Sequence, residues 1–311
     1  MKHSIRLTNV TKRYGKQTAL DDVTIEVPKG TVYALLGENG AGKTTTIRIL
    51  LGLADPDTGE AEVMGMSSHT HSTEIRRRVG YVPERPTLYE WMTVNEIGWF
   101  TAGFYGPDFL PRYMQYISRF ALPPGRKIDA LSKGMRAKVA LSLAMAHRPE
   151  VLVLDEPTSG LDTLVRREFL ESMVDMAAGG QTVLLSSHQI GEVERVADHV
   201  AILKKGKLVV AEKLDDLKDQ ILELIVTLHE ATSVPPAIGG QVLAERRRPR
   251  QWQALVRGLS ENEIESLRGH AKVVSVETRR PSLEEIFVAY MHDAPPNESS
   301  GEPASSETVN Q

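Results

Sequence analysis

Residues 131–162 read LSKGMRAKVALSLAMAHRPEVLVLDEPTSGLD. A Ser-Lys-Gly turn opens an apolar-periodic segment, so the reading is a helix capped by Ser132 that runs to about His147. An apolar run of strand length then ends in Asp155-Glu156-Pro157. Short continuous apolar runs are the mark of strands buried on both faces. Upstream, residues 31–36 form another such run. It enters Gly37-Glu-Asn-Gly40-Ala-Gly42-Lys43-Thr44-Thr45. That loop fits G-x-x-x-x-G-K-[ST] completely, between an expected strand and an expected helix over 44–52, which is the context the motif requires.

The chemistry of the loop follows from its residue types. Glycines let backbone N–H groups converge on phosphate oxygens, and the helix N-terminus adds positive potential. The expected ligands are the backbone of Gly37, Asn39, Gly40, Ala41 and Gly42, with Lys43 reaching the β- and γ-phosphates and Thr45 beside them. The Thr44 hydroxyl is expected on Mg²⁺. Asp155, at the tip of a buried strand, suits the same Mg²⁺. Glu156 then faces the γ-phosphate, where a carboxylate can orient and deprotonate water. His188 follows another apolar run, 182–186, and is expected to hydrogen-bond the γ-phosphate.

Composition narrows the class. The 311 residues are 41% hydrophobic and 25% charged, ordinary values for a globular chain. The net charge of -4 offers no global basic field for nucleic acid. There is no cysteine, so disulfides, thiolate metal sites and cysteine nucleophiles are out. The opening MKHSIRLTNV has no apolar core of signal-peptide length, and no apolar run reaches 18 residues. The expectation is a cytoplasmic chain that can still sit on a membrane partner.

Alternation of strands (5–10, 23–27, 31–36, 79–82, 151–154, 182–186) with helices, notably 164–178, argues for an α/β fold with a parallel sheet. Residues 201–210 read as a hairpin. Ten of the chain's aromatic residues fall between Tyr89 and Phe120, some at helical spacing such as Phe100 and Phe104. They suggest a small inserted helical subdomain. Its rings are either its own core or a surface that docks another protein. After residue 217 the character changes to a small α+β appendage, with strands at 221–228, 253–256 and 273–276 and a helix at 261–270. Ser282 with Glu285 three residues on reads as a capping box for a last helix to Tyr290. The stretch from Ala294 lacks apolar content and is expected to be disordered. The division is thus 1–216, with the helical subdomain at about 85–145, then 217–290, then a tail, 291–311.

In this order the motifs resemble the ATP-binding cassette (ABC) ATPases that drive transporters. The resemblance covers residues 5–217. It rests on the phosphate loop, LSKGM at 131–135 as the signature motif, VLVLDE at 151–156, Ser159-Gly160-Leu161-Asp162 as the D-loop, and His188 as the switch histidine. It implies a P-loop NTPase fold: a parallel core sheet, an antiparallel N-terminal β part and an inserted helical subdomain. It places Tyr14 on adenine and Asp162 at the nucleotide. It further implies that Ser132 and Gly134 close on the ATP of a second cassette, in a head-to-tail homo- or heterodimer. Two residues depart from the pattern at the signature. Lys133 and Met135 replace a Gly and the Gln of LSGGQ. Glu84, in Tyr-Val-Pro-Glu, stands where the family usually has Gln; it can still offer an oxygen to Mg²⁺ or to water, so it is a catalytic and metal candidate.

LSKGM, Glu84 and the PSLEEIF ending at Phe287 are similar to cassettes of bacterial exporters of drugs, peptide antibiotics or lipids. The resemblance therefore implies an ATPase subunit on the inner face of the membrane, working through a separate permease. The alternative is a soluble ABC protein of translation or DNA maintenance. A single cassette, no long heptads and no cysteine speak against it. The 217–290 appendage is either a dimer contact or regulatory module, or a passive extension.

Overall fold

The structure is a computed structural model and describes residues 2–231 and 236–292. The stretch from Ala294, expected to be disordered, lies outside the described residues. Met291, which the sequence reading assigns to the tail, instead closes the last helix. The chain divides into two compact units at Leu217 and Lys218.

In the first unit a six-stranded sheet has the order Lys207–Lys213, His199–Lys204, Val32–Gly37, Thr182–Ser187, Val151–Asp155, Val79–Val82. Every neighbouring pair is parallel except the outer hairpin, His199–Lys204 with Lys207–Lys213. Val32–Gly37, Val151–Asp155 and Thr182–Ser187 are buried at every residue. Strands covered on both faces need apolar side chains on both. In parallel register Leu36 lies beside Ser187 and Asp155 beside Ser186. The carboxyl ends of the three strands therefore open at one edge, where a doubly wound sheet binds ligands.

A second, antiparallel sheet has the order Gln17–Pro28, His3–Tyr14, Thr58–Val63, Met66–Ser67. The sequence pattern does not reveal Thr58–Val63, because half of its residues are exposed. The two sheets share one core, which includes Ile5, Val23, Leu35, Ile47, Val153 and Leu203.

The inserted segment holds helices Val94–Ala102 and Phe109–Arg119, followed by the signature helix Lys133–Ala146. Its aromatics split between the two readings. Phe109, Tyr113 and Phe120 are core, whereas Tyr89, Trp91, Trp99 and Phe104 are more than half exposed. Tyr89 meets Phe100 edge-on at 5.4 Å, and Phe100 meets Phe104 at 5.6 Å. This is a connected run of exposed rings.

The second unit is a four-stranded antiparallel sheet, order Gln241–Arg248, Gln251–Arg257, Ile221–Leu228, Val273–Arg279. Helix Glu261–Arg268 packs Ile264 and Leu267 into a core with Leu224, Val226 and Trp252. The charged edge strand Gln241–Arg248 escapes the sequence reading because arginine and glutamate mask its alternation. Ser282 and Glu285 form the capping box of Leu283–Met291.

Candidate nucleotide site

The phosphate loop is shaped by close approach. Gly42 has φ 112°, and a Cβ there would lie 2.6 Å from the Ala19 carbonyl and from Leu20. Only glycine fits both the dihedral and the space. A Cβ on Gly37 would lie 2.7 Å from the Leu203 carbonyl. The loop is thus wedged between the strand that follows Tyr14 and the outer hairpin. Gly206 N–H donates to the Ala41 carbonyl at 3.1 Å and fixes its far side. Glu38, Asn39 and Gly40 are exposed, and so is Thr44 at the start of helix Lys43–Leu50.

Lys43 is 5% exposed. Its ammonium donates to the Gly37 carbonyl at 2.6 Å and lies 3.1 Å from Glu156 Oε1. The other carboxylate oxygen of Glu156 is 2.7 Å from His188 Nδ1 and accepts from the His188 backbone N–H at 3.2 Å. Glu156 has φ 49°, a left-handed conformation that is rare outside glycine and costs strain. Its backbone N–H donates to the Ser186 hydroxyl and carbonyl, both at 3.1 Å, which holds it there. Lys43, Glu156 and His188 are therefore joined in one polar chain, a linkage the separate motifs do not reveal.

Asp155 is 3% exposed and accepts from the Ser186 hydroxyl at 2.5 Å. Ser186 is a site residue that sequence reasoning missed; the Ser-Ser pair before His188 was its signal. Tyr81, on the neighbouring strand, has its phenol pushed up to about 12 by burial and then by the charge of Asp155. Glu84 is exposed and makes no hydrogen bond or ion pair among the described residues, so it is not joined to this cluster. Tyr14 is 46% exposed at the end of strand His3–Tyr14, with the Lys12 ammonium 5.4 Å from its ring.

Exposed Thr44 and buried Asp155 are hard oxygen donors, and neither is committed to a counter-cation. This set fits a Mg²⁺ whose remaining ligands are phosphate and water.

Away from this cluster, Ser132 caps the 14-residue helix Lys133–Ala146. Its Oγ accepts from Met135 N–H at 3.2 Å, which leaves the hydroxyl proton free for a ligand. A Cβ on Gly134 would lie 3.2 Å from Val165 and 3.6 Å from Asp162 Oδ2. Asp162 itself caps helix Thr163–Ala178 through the Val165 N–H. Ser132, Gly134 and Asp162 form a second locus, an anion-favouring helix end with no phosphate loop of its own.

Comparison with known proteins gives the same picture. The ABC transporter family model matches residues 20–159. The bacitracin transport ATP-binding protein of Bacillus licheniformis is 36% identical over 218 residues, 69% of this chain and 71% of that protein. The daunorubicin resistance ATP-binding protein DrrA3 of Streptomyces coeruleorubidus is 31% identical over 312 residues, 92% of this chain and 95% of that protein. Among solved structures, an ATP-binding subunit of an ABC transporter superposes with TM-score 0.65 at 33% identity, covering 70% of this chain and 92% of that one. A dimeric bacterial ABC transporter cassette does so with TM-score 0.62 at 27% identity, covering 68% and 98%.

Proposed function

Since the chain belongs to the ABC transporter family of ATP-binding subunits, we propose that it hydrolyses ATP to power export through a separate permease. The observation that carries this reading is the chain Lys43–Glu156–His188 at the carboxyl edge of the parallel strands. Each member has a task once a triphosphate enters. The loop N–H groups take the phosphates, and Lys43 exchanges the Glu156 carboxylate for them. His188 is drawn to the γ-phosphate. Glu156, released from both, is free to take the proton of a water that attacks γ-phosphorus as the bond to the β-phosphate oxygen breaks. Mg²⁺, held by Thr44 and Asp155, would neutralise phosphate charge. Tyr14 would lie under adenine.

The locus of Ser132 and Gly134 lacks a phosphate loop, so it is assigned to the ATP of a second copy or homologue, in a head-to-tail pair. A relative solved as a dimeric cassette supports that assignment. We assign residues 1–216 to this machinery and 217–290 to an accessory unit. The exposed rings from Tyr89 to Phe104 suit the contact with the permease, which would hold the chain at the inner face of the membrane. No helix among the described residues is long and apolar enough to cross a membrane, so the pathway is assigned to the partner. The bacitracin transport relative favours a transporter subunit over the non-transport alternative.

The test is Glu156→Gln. It should bind ATP, hydrolyse it on the order of 10²–10⁴-fold more slowly, and elute as an ATP-dependent dimer on size exclusion. Hydrolysis at the parental rate would remove Glu156 as the catalytic carboxylate.

A further inference from the structure

Glu156 meets a positional problem once the site fills. At rest its carboxylate is held by Lys43 and His188, at 3.1 Å and 2.7 Å. In the proposed reaction both partners turn to phosphate. What remains is a residue at φ 49° whose backbone N–H is fixed on Ser186. A strained conformation persists only where its surroundings over-determine it.

A second tie joins the same two segments. The Glu156 carbonyl accepts from Ser159 N–H at 3.2 Å, and the Thr158 carbonyl accepts from Leu161 N–H at 3.1 Å. Residues 156–161 are therefore one run of turns closed around Thr158. Thr158 is buried, and its hydroxyl donates to Glu192 Oε2 at 2.8 Å. The other oxygen of Glu192 lies 2.8 Å from Arg166 Nε. Arg166 Nη2 in turn donates to the Leu161 carbonyl at 3.0 Å. Glu192 thus grips the run twice, directly at Thr158 and through Arg166 at Leu161. It stands on helix Ile190–Val193, which follows His188 and is anchored by the buried Ile190 and Val193. The Glu192 side chain is 14% exposed. Taking a carboxylate out of water is costly, and a buried ion pair is weak evidence for stability. What this one supplies is position.

We infer that Glu192 is a positioning residue for hydrolysis. It clamps the loop that leaves Glu156 to the turn that follows His188. When His188 departs for the γ-phosphate, the Glu156–His188 contact breaks and the Glu192 clamp does not. Glu156 therefore keeps its place beside the attacking water instead of relaxing its backbone. The inference rests on Glu156 as the base of the proposed reaction.

The experiment measures ATP hydrolysis and, by calorimetry, ADP affinity in full chains carrying Glu192→Ala, Glu192→Gln or Thr158→Val. Glu192→Ala should lower kcat about 10–10²-fold, the penalty of a catalytic group out of place. KM for ATP should not rise and ADP affinity should not fall, because the phosphate loop is untouched. Glu192→Gln keeps the shape and an acceptor oxygen for Thr158, so it should retain most of the rate. Thr158→Val removes the hydroxyl at nearly the same size and should lower kcat as well, again without loss of ADP affinity. In a Glu156→Gln chain, adding Glu192→Ala should slow hydrolysis no further, because the group it positions is already gone. Parental kcat in both Glu192→Ala and Thr158→Val, a loss matched by weaker ADP binding, or an added loss on top of Glu156→Gln overturns the clamp alone. Parental hydrolysis by Glu156→Gln itself overturns the base, and the clamp with it.

Discussion

In the nucleotide-free chain Glu156 competes with phosphate for Lys43, and the size of that competition can be worked from the geometry. The two groups are 3.1 Å apart, with side-chain exposures of 6% and 10%. At that separation and an effective dielectric of about 20, the Coulomb attraction is ~5 kcal/mol. Most of it is offset by the desolvation of both ions, which leaves a net competition of about 1–3 kcal/mol. Glu156→Gln removes the carboxylate and keeps the shape. The lysine retains the Gly37 carbonyl but loses its counter-charge. ADP is the right probe, because it offers a β-phosphate to Lys43 and is neither hydrolysed nor expected to close a dimer. By calorimetry ADP should bind the variant roughly tenfold more tightly, since ~1.4 kcal/mol is one decade. The empty variant should also melt about 4–8 °C lower, for a loss of about 2 kcal/mol in a unit of this size, and saturating nucleotide should recover that difference. Unchanged ADP affinity together with an unchanged melting temperature would refute the reasoning, because the ion pair would then hold nothing that phosphate must displace.

Gly98→Ala should destabilise the helical subdomain by about 1–3 kcal/mol through overpacking. The new Cβ would lie 2.1 Å from Tyr113, which is fully buried and donates to the Val94 carbonyl at 2.7 Å. Hydrogen exchange of 94–119 reads this, and protection equal to the parent's would contradict it. Glu285 is held at about 2, first by Arg279 and then by the Ser282 N–H. Its pKa is lowered on folding, so its contribution is full above the ordinary value of 4.5 and fades as pH falls from there through about 2. The Glu285 side chain is 38% exposed, so solvent screening limits the effect to about 1 kcal/mol or less. In the full chain, exchange protection of 283–291 should drop between about pH 5 and pH 3, and Glu285→Gln should flatten that dependence.

Sequence alone reached the chemistry of this protein because its motifs are local. The phosphate loop needs glycines at fixed spacing, and a buried strand needs an apolar run before Asp155. Both demands are written in consecutive residues. The capping residues Ser132 and Ser282 were legible for the same reason, since each serves an N–H three residues away. Strands whose residues are half exposed or heavily charged, Thr58–Val63 and Gln241–Arg248, carry no such local mark and became strands through their partners. Composition likewise left the aromatic island open, and only packing separated buried Phe109 and Tyr113 from exposed Trp91 and Phe104. What the tertiary structure decided was contact between distant segments. Parallel register joined Asp155 to Ser186, and side-chain reach joined Lys43, Glu156 and His188. Spacing along a chain determines what a residue can do; the distances that closed in this site span tens of residues, and only the folded sheet sets them.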